Sequence, residues 1–190
     1  MRIILLSGGS GQRLWPLSNS TRSKQFLRLL PSPDGSTESM LQRVFRQIKE
    51  TEMTGNITIV TSAAQRDSIT TQIGNDVTIV AEPERRGTFP AIALATAHLL
   101  FNENCSREEI AVVVPCDTFA DNSYFSSINK LVEIIAEDYA ELALIGITPT
   151  NSQSKYGYIL PANSKVDGVQ MVKRFTEKPN KKRAEQLVNN

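Results

Sequence analysis

Ile3-Ile4-Leu5-Leu6 runs directly into Ser7-Gly8-Gly9-Ser10-Gly11-Gln12-Arg13, and this junction constrains the fold more than any other part of the chain. Consecutive aliphatic residues of strand length match a strand covered on both faces, as in a parallel sheet. Glycines straight after such a strand let the backbone approach a ligand at the strand's carboxyl end. Arg13 and Lys24 follow, so the expected ligand is an anion, and a nucleoside triphosphate suits the pattern. The loop is not a Walker A sequence, because no G-K-[ST] closes it. It is not a dinucleotide fingerprint either, because Leu14 stands where the third glycine belongs. A tight turn flanked by solvated cations is the plain alternative.

The rest of the chain repeats strand and helix. Strand-like apolar runs cover 57–60, 77–80, 110–114 and 142–147, and the 110–114 and 142–147 runs read as buried. Between them the spacing predicts helices. One runs to about residue 50, capped by Ser36 or Thr37, with Met40, Leu41, Val44, Phe45 and Ile48 on one face. Another carries Ile69 and Ile73 inward, a third opens at Pro90 and runs to about 101, and a fourth covers 123–138. Alternation of this kind specifies a doubly wound, mainly parallel, Rossmann-like α/β sheet. The loops at 7–18, 81–90 and 115–121 then fall at the carboxyl ends of strands, where such sheets bind ligands. After Pro149 the rhythm changes. Residues 156–160 and 169–175 are strand-like with no helix between them, and a new helix begins near 180.

The net charge of +1 gives no global field for nucleic acid or membrane, so any anion site is local. Cys105 and Cys116 make no disulfide framework, and with His98 they make no zinc pattern. Met1-Arg2 leads into a strand without a leader or a long apolar span, which fits a reducing cytoplasm. Taken alone, Asp117 serves equally to cap a turn or to hold a metal, and Lys178 before Pro179 reads as a solvated lysine. Glu82-Pro83 could simply end a strand, His98 reads as packing, and at least one of Tyr156 and Tyr158 reads as sheet packing.

Ser7 to Leu17, with Lys24-Gln25-Phe26-Leu27, resembles the signature of the mannose-1-phosphate guanylyltransferases, within the sugar-nucleotide pyrophosphorylases. The resemblance continues in order through Glu82-Pro83, Thr88, Pro90 to Ala95, Val114 to Asp117, Gly146 to Thr150, Tyr156 to Ile159 and Glu177-Lys178-Pro179. It implies the nucleotide-diphospho-sugar transferase fold, with 1–150 as the nucleotide-binding core and 151–190 as the start of a sugar-binding part. It implies transfer of GMP from GTP to mannose 1-phosphate, giving GDP-mannose and pyrophosphate. Ser7, Gly8, Gly9, Gly11, Arg13, Lys24, Glu82, Thr88 and Pro90 would contact the nucleotide, and Tyr156, Gly157, Glu177 and Lys178 the sugar phosphate. Arg13, Lys24, Asp117 and Lys178 would be catalytic, with Asp117 holding Mg²⁺.

The departures are local. Ser23 stands where the family usually has proline, Gly87 replaces a side chain expected near the nucleotide, Phe89 replaces an alanine, and Thr118 replaces a frequent histidine. They leave open a pyrophosphorylase for another sugar or base. A W-N-[SG]-G stretch and a second metal aspartate, both expected farther on, do not occur in this sequence, and Trp15 is its only tryptophan. The sequence therefore reads as C-terminally truncated. That leaves open a fragment that binds nucleotide without turnover. Apolar surface left uncovered would favour homo-oligomers.

Overall fold

β1 (Arg2–Leu6) is an inner strand of the sheet and carries the glycine loop at its end. In the computed structural model, residues 1–9, 14, 16–19, 23–51, 53, 55–166 and 168–188 are described. The chain forms two compact units, Met1–Asn129 and Lys130–Asn190.

In the first unit, β1 pairs in parallel with β4 (Asn56–Ser62) on one side and with β6 (Ala111–Pro115) on the other. β5 (Thr78–Glu82) adds in parallel to β4, giving the order β5-β4-β1-β6. Side chains of a strand alternate between its faces, and Ile3, Ile4 and Leu5 are all fully buried, so β1 is covered on both. α3 (Thr88–Asn102) packs on one face, where Ala91, Ala95 and Leu99 meet Ile4 and Val60. Small alanines let the helix approach the sheet closely.

The 110–114 run is expected to be covered on both faces, and here the structure differs. Val112 and Val114 are buried, but Val113 is 37% exposed, and Ala111 and Pro115 beside it on that face are exposed too. Among the described residues β6 is an edge strand, as β5 is, but α3 lies over β1, β4 and β5 rather than over β6. The uncovered strip becomes one wall of a cavity.

α1 (Met40–Glu50) begins two to three residues later than the expected caps imply. Thr37 belongs to β3 (Thr37–Glu38), a short antiparallel partner of β2 (Leu30–Pro31). The cap is Ser39. Its side chain accepts from the Gln42 N–H, while the Gln42 side chain accepts from the Ser39 N–H. This capping box satisfies two otherwise orphaned donors. Leu41, Val44 and Ile48 are buried as the spacing requires. α2 (Arg66–Ile73) buries Ile69 fully. Opposite the site end of the sheet, Glu109 accepts from the Met1 ammonium at 3.0 Å and from the Cys105 thiol at 3.0 Å. The thiol and then the ammonium hold its carboxyl down to about 2.

α4 (Asn122–Ala136) begins in the first unit and ends in the second. The second unit then carries the antiparallel hairpin of β7 (Tyr158–Val166) and β8 (Val169–Thr176), followed by α5 (Lys181–Val188). The expected strand at 142–147 is not one. Leu142 is 88% exposed and Ile147 82% exposed, and no described strand pairs with the run. Its apolar composition suggests burial, but an extended segment becomes a strand only by gaining a ladder partner. Among the described residues, no helix is long and apolar enough to cross a membrane.

Candidate functional site

Parallel pairing delivers the ends of β1, β5 and β6 to the same edge of the sheet. At that edge lies a cavity of about 520 Å³ lined by Leu6, Gly8, Val60, Glu82, Arg85, Gly87, Thr88, Ala91, Val113 and Pro115. The size and the mostly apolar lining with a few polar groups suit a nucleoside-sized ligand. Of the expected nucleotide residues, Gly8, Glu82 and Thr88 line it. Pro90 lines a neighbouring hollow with Glu82, Pro83, Glu84, Arg86 and Leu94.

Glu82, the last residue of β5, is only 7% exposed. Its Oε2 lies 3.5 Å from the point where a side chain on Gly8 would begin. A buried carboxylate accepts hydrogen bonds and donates none when ionised, so it selects ligands that present donors. α3 opens at Gly87 without a side-chain cap. Its first-turn N–H groups and the positive end of its dipole therefore favour negative charge in this part of the cavity. Gly87 itself has φ +94° and ψ −174°, a backbone region open essentially to glycine alone. The glycine that departs from the family pattern is thus the residue this turn requires. The side chain expected there would meet no neighbour, but the backbone would resist it.

Lys24 and Asp117 meet directly. Lys24 Nζ is 2.5 Å from Asp117 Oδ2, with both side chains about one-third exposed, at 35% and 39%. Both are held from behind. The single 3-10 turn Lys24–Phe26 is pinned by Gln72, whose Nε2 donates to the Phe26 carbonyl at 2.9 Å. Gln25 reaches back to the Ser7 carbonyl at 3.2 Å. The loop after Asp117 is gripped by α1. Gln47 Nε2 donates to the Ala120 carbonyl at 2.9 Å, and Arg43 sits over the Phe119 ring at 4.8 Å. These anchors could not be read from sequence, since each joins residues far apart along the chain.

Ser7 and Gly9 lie in the loop after β1. The Ser7 N–H still serves the sheet, donating to the Val60 carbonyl at 2.8 Å. The Gly9 carbonyl accepts from the Ser23 hydroxyl at 3.0 Å. The expected contacts from Gly11 and Arg13 lie outside the described residues. Cys116, next to Asp117, is buried, and burial pushes its thiol up to about 12. It stays protonated at neutral pH and is not a nucleophile. His98 lies on α3, with Nε2 3.7 Å from Glu103 Oε1, and takes no part in the cavity.

Asp117 is a sparse metal donor. Among the described residues, no group of three or more His, Cys, Asp or Glu side chains comes together. One carboxylate is still compatible with Mg²⁺, which commonly takes one or two carboxylates and fills its remaining positions with phosphate oxygens and water.

In the second unit, Gly157 lies under Phe175. A side chain on Gly157 would begin against Phe175 Cζ and 2.9 Å from Glu177 Oε2, so Gly157 and Glu177 are neighbours. Lys178 Nζ pairs with Glu177 Oε1 at 3.0 Å. Lys178 has φ +38° although it precedes proline, a position that favours extended backbone. Tyr156 is 68% exposed, while Tyr158 is buried and its hydroxyl is tied to the Gln153 backbone. Tyr158 is the packing tyrosine.

The nucleotidyl transferase family model matches residues 2–190. The alginate biosynthesis protein AlgA of Pseudomonas fluorescens is 34% identical over 97% of this chain and 38% of its own length. A mannose-1-phosphate guanylyltransferase of Escherichia coli is 31% identical over 97% of this chain and 40% of its own length. The chain thus spans about two-fifths of the length of these relatives. Among solved structures, a mannose-1-phosphate geranyltransferase from Thermus thermophilus matches with a TM-score of 0.74 at 23% identity, over 99% of this chain and 53% of that one. At that identity it supports the fold alone.

Proposed function

The chain belongs to the nucleotidyl transferase family, and from that premise we propose that its first unit binds GTP and that the complete enzyme makes GDP-mannose from GTP and mannose 1-phosphate. The convergence of the Gly8–Gly9 loop, the Lys24–Asp117 pair and buried Glu82 on one edge of the sheet is the observation that carries this reading. Guanine presents N1–H and N2–H donors side by side on one edge, which a carboxylate accepts together. Adenine sets a ring acceptor beside its single donor group, which a carboxylate repels. Glu82 therefore favours a guanine nucleotide over an adenine one.

The chemistry asks little of a general base. A sugar phosphate has a second pKa of about 6, so its oxygen is already anionic at neutral pH. That oxygen attacks the α-phosphorus of GTP, and the bond to the bridging oxygen breaks, sending its electron pair off with pyrophosphate. The protein must bring two polyanions together and stabilise charge on the departing group. Lys24 and Arg13 would neutralise nucleotide phosphates, and Lys178, with Tyr156, Gly157 and Glu177, would hold the sugar phosphate. Asp117 would supply one ligand to Mg²⁺, whose contribution is charge neutralisation at the phosphates. Ser7, Gly8, Gly9, Gly11, Thr88 and Pro90 would shape the nucleotide side.

The test is pyrophosphate release from GTP, mannose 1-phosphate and Mg²⁺, with other sugar phosphates alongside. The 190-residue chain is expected to bind GTP with little turnover, and a chain of the relatives' full length to turn over with mannose 1-phosphate. Robust turnover by the 190 residues alone would refute the need for a further part. Tight GTP binding without turnover by the full-length form would favour a non-catalytic nucleotide-binding role.

A further inference from the structure

We infer that Gln65 is a positioning residue, a buried joint that locks three loops of the nucleotide site into one arrangement. Gln65 is fully buried at the end of the single 3-10 turn Ala63–Gln65, and it belongs to none of the motifs in the sequence. Its amide orientation follows from its neighbours. With the nitrogen facing the Ser7 carbonyl at 2.9 Å and Thr61 Oγ1 at 2.8 Å, the oxygen faces Arg85 Nη2 at 3.0 Å and Ser23 Oγ at 2.5 Å. The opposite orientation would set oxygen against carbonyl and nitrogen against guanidinium. One side chain thereby touches the loop after β1, the segment that leads into Lys24, and the loop after β5.

Ser23 completes the joint. Its hydroxyl is 3.0 Å from the Gly9 carbonyl as well as in contact with Gln65, so its single proton bridges the two acceptors. Ser23, Gln25 and Gln65 are each at most 2% exposed. Water cannot replace a lost partner there, and an unmade bond leaves a buried polar group orphaned. The backbone of Ser23, at φ −69° and ψ 156°, is one that proline adopts readily. The hydroxyl, absent from the proline usual in the family, is what makes the bridge in this chain.

The arrangement predicts coupling. Losing either member frees the Gly8–Gly9 loop and the Lys24 turn together, although neither residue lines the cavity. The effect on ligand binding rests on the nucleotide reading above, while the effect on loop order does not. The experiment measures ¹⁵N order parameters at Gly8, Gly9 and Lys24, and GTP affinity by calorimetry. The variants are Gln65→Leu, Ser23→Ala, Ser23→Thr, Gln65→Leu/Ser23→Ala and, as a core control, Leu99→Ala. The expected result is a fall at all three positions from about 0.85 to below about 0.6 in Gln65→Leu and Ser23→Ala. GTP should bind about ten-fold more weakly to both, the double variant should be no worse than Gln65→Leu, and Ser23→Thr should behave as the native chain.

Leu99→Ala should lower the melting temperature without moving the loops. If Gln65→Leu and Ser23→Ala alter only the melting temperature, as Leu99→Ala does, the joint does not exist. If native protein binds no GTP, the nucleotide reading fails and the order parameters still decide the joint. Should Gln65→Leu not fold, Ser23→Ala against Ser23→Thr decides it, and equal order in those two overturns it.

Discussion

Lys24→Met and Asp117→Asn are expected to move metal-free GTP affinity in opposite directions. The two side chains are paired at 2.5 Å. If Lys24 serves nucleotide phosphates, removing its charge deletes a charge-assisted contact, typically about 1.5–3 kcal/mol, or roughly ten- to hundred-fold in Kd. Asp117→Asn removes a negative charge from the path of a polyanion and releases Lys24 from its partner. The pair is partly exposed and screened, so the gain is modest, about two- to five-fold. In Mg²⁺ the order reverses. The native chain is expected to gain affinity through Asp117, and Asp117→Asn to lose most of that gain. Calorimetry with GTP, with and without Mg²⁺, reads all of this. A fall in metal-free affinity for both variants would mean the ion pair itself is needed to hold the site, and the assignment of separate roles would be wrong.

Gly8→Ala is expected to fold and melt like the native chain yet bind GTP at least about ten-fold more weakly, a loss of roughly 1.4 kcal/mol. Gly8 is not among the glycines with positive φ, and its added methyl would come no closer than 3.5 Å to Glu82 Oε2, an ordinary contact. Nothing in the fold therefore needs glycine there. The methyl would instead project into the cavity, between the backbone and the Glu82 carboxylate. A purely structural role predicts no change in binding, because such a substitution at a compatible backbone tends to stabilise slightly. Unchanged GTP affinity in a folded Gly8→Ala would show that no ligand approaches this backbone. A large fall in melting temperature would show that the glycine serves the turn rather than the ligand.

The parts of the molecule legible in its sequence are those specified by neighbours along the chain. The order of the parallel strands and the helices between them through β6 follows from hydrophobic periodicity, whereas the short β2–β3 pair does not; the loop after β1 follows from its glycines. The resemblance in order along the chain also singles out Lys24 and Asp117, which the structure brings together. The failures have a common physical cause. The cap of α1 is expected at Ser36 or Thr37, because propensity alone cannot see that Thr37 is engaged in a strand pair and that Ser39 closes the box with Gln42. Residues 142–147 have strand composition but no ladder partner among the described residues. β6 reads as fully buried because its residues do not reveal that α3 will cover the other strands instead. The polar supports of the site are invisible for a stronger reason. Gln65, Ser23 and Ser7 are separated by many residues, and a glutamine in sequence carries no sign of being buried. Their roles arise only when parallel pairing sets the ends of β1 and β4 side by side.

The claim that buried Glu82 reads a guanine at this edge is tested most directly by titrating the native chain with GTP and ATP under identical Mg²⁺ and salt. The two ligands share their phosphates, so any contribution of the loop, Lys24 and Asp117 cancels and the difference reports the base alone. GTP is expected to bind at least about ten-fold more tightly than ATP, the discrimination expected when one ligand leaves a buried acceptor unpaired. Equal affinity for the two, or tighter binding of ATP, would contradict it.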